Sequence, residues 1–139
     1  MSNPLADMQK PDVIFCIGTN MTECHPVAAT RIKRALSKGS RMIVADPRRI
    51  PLADISHVYL PLRVGSDSAL LLGMAHVIAR EGLIDRSFIS ERTANADAFL
   101  EHITEFTPQW AEEITGVPAA DIEEAAILFG NADMGAIYY

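Results

Sequence analysis

The stretch Asp12-Val-Ile-Phe-Cys-Ile-Gly-Thr-Asn-Met-Thr-Glu-Cys-His-Pro26 decides the reading of the fold. Its first part is a short apolar run rich in β-branched and aromatic residues, and it stops at Gly18. A run of that length, closed by glycine, predicts a buried strand. Residues 19–25 are mostly polar and predict a loop. Pro26 has a fixed φ and no N–H to lose, so it predicts the first residue of a helix. Val27, Ile32, Ala35 and Leu36 recur at roughly helical spacing, and Gly39 predicts the stop.

Outward from this stretch, Met42-Ile-Val-Ala45 predicts a second buried strand, ended by Asp46-Pro47, and Val58-Tyr-Leu60 a weaker third. Strand, helix, strand, loop, strand is the order of a parallel sheet with helical crossovers. Ser66 is placed to cap the strongest helix, with Leu70, Leu71, Met74, Val77 and Ile78 inward and Gly82 as its end. Residues 83–92 predict a short helix or turn entered at Asp85. Asn95 is placed to cap a helix with Phe99, Ile103 and Phe106 as its apolar stripe. Thr107-Pro108 opens a short helix to Gly116. Pro118 opens a last one, with Ile122, Ala126 and Phe129 inward and Gly130 as stop. Gly135-Ala-Ile-Tyr-Tyr139 opens one more strand with no partner after it, as expected of a segment from a longer chain. The expected fold class is α/β: a three-layer α/β/α arrangement with a mostly parallel sheet, Rossmann-like or doubly wound, truncated at a C-terminal strand. Residues 1–139 are expected to form a single α/β domain.

Composition narrows the function. The chain has 139 residues, 49% hydrophobic and 22% charged, which is ordinary for a globular domain. No apolar run is long enough to span a bilayer. Residues 1–10 lack the basic-then-apolar layout of a signal peptide, so a cytoplasmic location is expected. Cys16 and Cys24 form no CxxC pair, and the four histidines are scattered, so no metal-ligand spacing is present. Net charge is −6, yet Arg31, Lys33, Arg34, Lys38, Arg41, Arg48 and Arg49 crowd one stretch. A local basic patch on an acidic chain suits a small anionic ligand better than nucleic acid; its bland alternative is a solvated helix face.

In an open α/β sheet, ligands sit at the carboxyl ends of the strands. Three loops meet that condition. The loop from Gly18 to His25 leads into a helix N-terminus, which offers free N–H groups to a phosphate. Asp46 ends a strand where a carboxylate commonly holds a ribose hydroxyl, and the arginines after Pro47 can fork onto phosphate. Gly65-Ser66-Asp67 lies at the mouth of the next helix. Each loop also has a plain reading. Gly18 can merely turn the chain, Asp46 can be a turn residue, and Ser66 and Asp67 can be a cap. No GxGxxG surrounds Gly18. Cys24 beside His25 lacks an orienting third group, so it reads as a loop cysteine next to a helix-capping histidine. No catalytic constellation is visible.

The stretch from Asp12 to Pro26 resembles formate dehydrogenase catalytic subunits, in the segment after their active-site region. Arg31-Ile-Lys-Arg-Ala35, Ile43-Val-Ala-Asp-Pro-Arg48, Glu81-Gly-Leu-Ile-Asp85 and Ile114-Thr-Gly-Val117 continue the likeness. Gly65-Ser-Asp-Ser-Ala-Leu70 is similar to a motif of the wider molybdopterin oxidoreductase (dimethyl-sulfoxide-reductase) family. The likeness runs from about Asn3 to Tyr139. Nitrate reductases and a large subunit of respiratory complex I share most of it. The resemblance implies a bis-molybdopterin-guanine-dinucleotide cofactor with molybdenum or tungsten. It also implies an iron–sulfur cluster held elsewhere in the parent, not by this segment. Gly18, Asn20, Glu23, Cys24 and His25 would line one dinucleotide. Asp46, Pro47 and Arg48 would approach its ribose and phosphates, and Gly65, Ser66 and Asp67 its guanine. Glu23 and Cys24 occupy positions that vary in the family. The implied partners are the remainder of the catalytic subunit and its electron-transfer subunits. The family's metal-ligating, cluster-binding and substrate residues have no counterpart in this sequence, so no catalytic residue is assigned. Two other classes compete: the nucleotide-binding central domain of a thiamine-diphosphate enzyme, and a receiver domain. A receiver needs an acidic pair after its first strand, where this chain has Gly18-Thr19.

Overall fold

The computed structural model describes residues 4–139. The first three residues of the expected leader-free start, and Asn3 at the edge of the family likeness, lie outside them. The chain divides into two compact units.

The first unit takes in residues 4–61 and Ala132–Tyr139. Its strands are β1 (Val13–Ile17), β2 (Arg41–Ala45), β3 (Val58–Leu60) and β4 (Gly135–Tyr138). They form one sheet in the order β3-β2-β1-β4 with every pairing parallel. All of β1, and β2 from Met42 on, are buried, so side chains of both faces are shielded, as expected of continuous apolar runs in parallel sheets. On one face Ile14, Cys16, Met42 and Val44 pack with Ala28, Ala29, Ile32 and Ala35 of the helix α2 (Pro26–Leu36). Met8, from a 3₁₀ turn over Leu5–Gln9, joins that cluster.

Several expectations shift by one helical position. Val27 was expected inward but is 65% exposed; Ala28 and Ala29 take the face, because small side chains let α2 lie close to the sheet. The expected loop at residues 19–25 contains a four-residue helix, α1 (Met21–Cys24), anchored by buried Met21. The expected last strand is present as β4. It pairs along its length with β1, from Val13↔Gly135 to Cys16↔Tyr138. Asp12 clamps its approach: the carboxylate accepts from the backbone N–H of Met134 at 2.8 Å and of Asp133 at 3.1 Å.

The second unit, Leu62–Asn131, is helical. It holds α3 (Asp67–Arg80), α4 (Arg86–Arg92), α5 (Ala96–His102), α6 (Pro108–Thr115) and α7 (Ala119–Gly130). Asp85 and Thr107 cap α4 and α6 by accepting from Phe88 and Trp110 N–H. Ser66 and Asn95 stand at caps but bond no helix N–H through their side chains. On α3, Leu71 is exposed and Gly73 is buried instead, since α6 packs there closely. Phe99 is exposed, and Leu128 rather than Phe129 is buried on α7. Gly130 is the last residue of α7 rather than the stop after it. A Cβ there would meet Leu83 at 2.8 Å, so glycine is needed for space. Among the described residues no helix is long and apolar enough to cross a membrane.

Candidate functional site

In the first unit the sheet runs from β1 outward to β2 and β3, and the chain then returns on the other side of β1 as β4. Strand order therefore reverses at β1, and the crevice beyond the carboxyl ends at such a reversal is where open parallel sheets bind ligands. Gly18 stands there with φ +61°, and its N–H donates to Ala45 O at 2.9 Å. That bond brings the loop after β1 against the loop after β2. No atom lies within 4 Å of where a Gly18 Cβ would sit, so a ligand can approach the backbone closely.

Two residues on, Asn20 is 7% exposed and opens α1. Its carbonyl accepts from Cys24 N–H at 3.0 Å, but its side-chain Oδ1 has no hydrogen-bond partner. Leaving a buried acceptor unpaired costs roughly 1–3 kcal/mol, so such an atom marks a place where an outside donor is missing. Thr22 Oγ1 and Arg31 Nε are also buried without partners. Glu23, Cys24 and His25 are exposed. His25 stands at the N-cap of α2 without a side-chain cap bond, and Pro26 follows, so no side chain of the cap covers the first-turn N–H groups. Cys16, in β1, is buried, and burial pushes its thiol up to about 12, so it is core.

After β2, Asp46 is 2% exposed. Its Oδ1 accepts from Arg48 N–H at 2.8 Å, bridging Pro47, and lies 3.6 Å from Arg48 Nε. The turn reading of Asp46 therefore holds for one oxygen; among the described residues Oδ2 has no donor. Pro47 and Arg48 are exposed. Arg49 is engaged elsewhere: it pairs with Asp54 at 2.8 Å and lies over the Tyr59 ring at 5.5 Å. Tyr59 was missed by sequence reasoning. Its hydroxyl donates to Asp46 O at 3.1 Å and fixes the turn, and burial, then the nearby Asp46 charge, pushes that phenol up. A polar aromatic in the middle of an apolar strand was the available signal. The basic residues Lys33, Arg34, Lys38 and Arg41 are exposed with no ion pair among the described residues, which fits a solvated face.

In the second unit, Gly65 has φ +83° and open space at its Cβ position. Ser66 is buried, and its hydroxyl donates to Arg63 O at 2.6 Å, so it closes a turn instead of capping α3. Asp67 is half-buried in the first turn of α3, where the helix dipole favours a carboxylate. Arg63, also missed, ties this loop down by donating to Glu113 O at 2.8 Å and Ile114 O at 3.2 Å, at the C-terminal end of α6. Among the described residues no group of three or more His, Cys, Asp or Glu could hold a metal ion.

The sequence profile of the family described as Molybdopterin oxidoreductase matches residues 1–134. The chain belongs to the molybdopterin oxidoreductase family. It is 42% identical over 139 residues to the F420-dependent formate dehydrogenase subunit alpha of Methanocaldococcus jannaschii, covering 100% of this chain and 21% of that one. It is 38% identical over 132 residues to a nitrate reductase of Symbiobacterium thermophilum, covering 88% of this chain and 18% of that one. The solved structure of acetylene hydratase from Pelobacter acetylenicus superposes with a TM-score of 0.87 at 30% identity, over 97% of this chain and 20% of the other. This chain thus spans about a fifth of the length of these molybdopterin oxidoreductase relatives. These three relatives are named for three different reactions.

Proposed function

We propose that this chain forms part of a molybdopterin-guanine-dinucleotide pocket in a formate dehydrogenase-type subunit, binding and orienting the cofactor. The observation that carries the reading is Asn20: a buried amide with an unpaired oxygen at the carboxyl end of β1, where strand order reverses. Within the first unit, the residues near it suit the phosphates and ribose of a dinucleotide. Gly18 leaves room for a diphosphate. The uncapped start of α2, flanked by Glu23, Cys24 and His25, offers N–H groups. Asp46 Oδ2 suits a ribose hydroxyl, and exposed Arg48, beside Pro47, suits a phosphate. In the second unit, Gly65, Ser66 and Asp67 suit guanine, whose N1–H and N2–H₂ present adjacent donors that one carboxylate accepts together; adenine has no such pair.

The bound molybdenum or tungsten would supply the redox chemistry, with iron–sulfur clusters of the parent carrying electrons away. This chain contributes no reacting group. Formate oxidation to CO2 is the proposed activity of the parent, as part of a multi-subunit enzyme. Nitrate reduction is the second reading, favoured by the 38% identity to a nitrate reductase.

The test is a competition titration of GDP, ADP and FAD against the 139-residue chain. GDP should bind at least about tenfold more tightly than ADP, a difference of about 1.4 kcal/mol. Asp67→Ala should remove the preference, and Asn20→Ala should weaken GDP and ADP alike. Equal affinity for the three, or a preference for FAD, overturns the guanine-dinucleotide reading of these loops. The isolated chain should not reduce a dye with formate.

A further inference from the structure

In the second unit, the C-terminal end of α6 is closed by a residue from a distant part of the sequence. A helix leaves its last four carbonyls without partners of its own. In α6 these belong to Glu112, Glu113, Ile114 and Thr115. Glu112 O accepts from Gly116 N–H at 2.8 Å. The other three accept from Arg63. Its guanidinium Nη1 donates to Glu113 O at 2.8 Å and Ile114 O at 3.2 Å, and its backbone N–H donates to Thr115 O at 2.9 Å. A cation there also meets the negative end of the helix dipole. Gly116, at φ +74°, leaves the guanidinium its place: a Cβ would lie 3.2 Å from Arg63 Nε and 3.3 Å from Cζ. Buried Thr115 completes this end by donating to Ala111 O at 2.8 Å and accepting from Val117 N–H at 3.1 Å. The stretch Ile114-Thr-Gly-Val117 is thus shaped to receive Arg63.

The same residue begins the next turn. The carbonyl of Arg63 accepts from Ser66 N–H at 3.2 Å and from the Ser66 hydroxyl at 2.6 Å. Ser66 O in turn accepts from Ala69 and Leu70 N–H at 3.1 Å each, where α3 opens. Arg63 therefore grips α6 with its N–H and side chain, and the turn before Asp67 with its carbonyl. Among the described residues no side-chain hydrogen bond or ion pair reaches Asp67, so its direction is set by the backbone that carries it.

We propose that Arg63 is a positioning residue for nucleobase recognition. It fixes the Gly65–Asp67 turn against the end of α6, which holds the Asp67 carboxylate where it can accept from the adjacent donors of guanine. The proposal rests on the guanine reading of Asp67 and adds the residue that makes that carboxylate selective.

The competition titration tests it with two variants. Arg63→Met loses the guanidinium donors, and Arg63→Lys keeps the charge and one donor group. Arg63→Met should lower the preference for GDP over ADP by about threefold or more while leaving ADP affinity within about twofold. Arg63→Lys should fall between Arg63→Met and the native chain. A role confined to stability would weaken both nucleotides alike. Residue-resolved hydrogen exchange adds a reading that needs no variant. Since linkage is reciprocal, GDP but not ADP should slow exchange at Gly116 N–H in the native chain. In the empty chain Arg63→Met should quicken exchange at Gly116 and Ser66 together. A native chain with no guanine preference overturns the cofactor reading and this proposal with it. A native preference that Arg63→Met keeps in full overturns this proposal alone. So does Gly116 exchange that GDP leaves unmoved in a native chain that prefers GDP.

Discussion

Replacing Gly73 with alanine sets two effects of known sign against each other. In a helix interior, Gly→Ala stabilises by roughly 0.8–1.0 kcal/mol through backbone entropy. At Gly73 the new Cβ would lie 2.7 Å from Ala111 Cβ and 3.6 Å from Ile122 Cγ2. Carbon atoms pack best at about 3.5–4.0 Å, so α3 and α6 would have to separate by roughly 1 Å. Neither methyl can swing aside, because Ala111 and Ile122 are fully buried. Overpacking of this kind costs about 1–3 kcal/mol. The clash therefore wins, leaving Gly73→Ala destabilised by up to about 2 kcal/mol. Trp110, the single tryptophan, sits in α6 with its ring 4.7 Å from that of Phe106, so its fluorescence during urea unfolding reads the helix that must move. A double-mutant cycle removes the propensity term. Ala111→Gly alone should destabilise, but combined with Gly73→Ala it should restore at least about 1 kcal/mol relative to the sum of the two single changes. A gain in stability from Gly73→Ala, or a cycle with no coupling, would refute the claim that α3 and α6 are in direct contact at this glycine.

Three further outcomes are expected. His57 Nδ1 accepts from the N–H of fully buried Met42 at 3.1 Å, so His57→Ala should cost about 1–3 kcal/mol in urea unfolding, and a change below about 0.3 kcal/mol would show the bond to be dispensable. Burial opposes the charge of Asp12, but the N–H groups of Met134 and Asp133 outweigh it and hold the carboxyl below its ordinary value. Its stabilisation is present above the unfolded-state value near about pH 4 and is lost as pH falls through the lower folded value; Asp12→Asn should flatten that acid limb. A thiol reagent at neutral pH should modify exposed Cys24 in the native chain and reach Cys16 only after unfolding, and rapid reaction of both would contradict the burial of β1.

The alternating layout was legible because its signals are local. β-branched runs ended by Gly18 and by Asp46-Pro47 mark β1 and β2, and Pro26, Pro108 and Gly116 mark helix ends within a residue. What failed was any judgement that needed the neighbour's shape. Large apolar residues were expected inward at Val27 and Leu71, yet Ala28, Ala29 and Gly73 occupy the contacts, because closely packed helices admit only small groups. α1 is too short to show a period. The pairing of β4 with β1 joins residues more than a hundred positions apart, which no window contains. The same division holds at the candidate site. Gly18, Asp46 and Gly65 were visible as strand or turn ends. That Ser66 spends its hydroxyl on Arg63, that Tyr59 props Asp46, and that Asn20 is left unpaired are products of tertiary geometry.

That geometry also bears on why relatives with three differently named reactions share this segment. The features gathered at the carboxyl edge of β1 and β2 are largely backbone features: a glycine at positive φ, an uncapped helix start, and a turn whose N–H is held by Asp46. Under the proposed reading, backbone donors here would recognise phosphate and sugar oxygens without regard to what reacts elsewhere on the same cofactor. Glu23 and Cys24 on the surrounding loop are exposed. Asn20 is the exception: Thr22 and Arg31 also hold an unpaired buried atom but are only half-buried, whereas Asn20 is buried as a whole. Under the proposed reading it is therefore the residue in this segment whose replacement should be felt as lost nucleotide affinity rather than lost stability. Removing an unpaired acceptor relieves the empty chain and deprives only the occupied one.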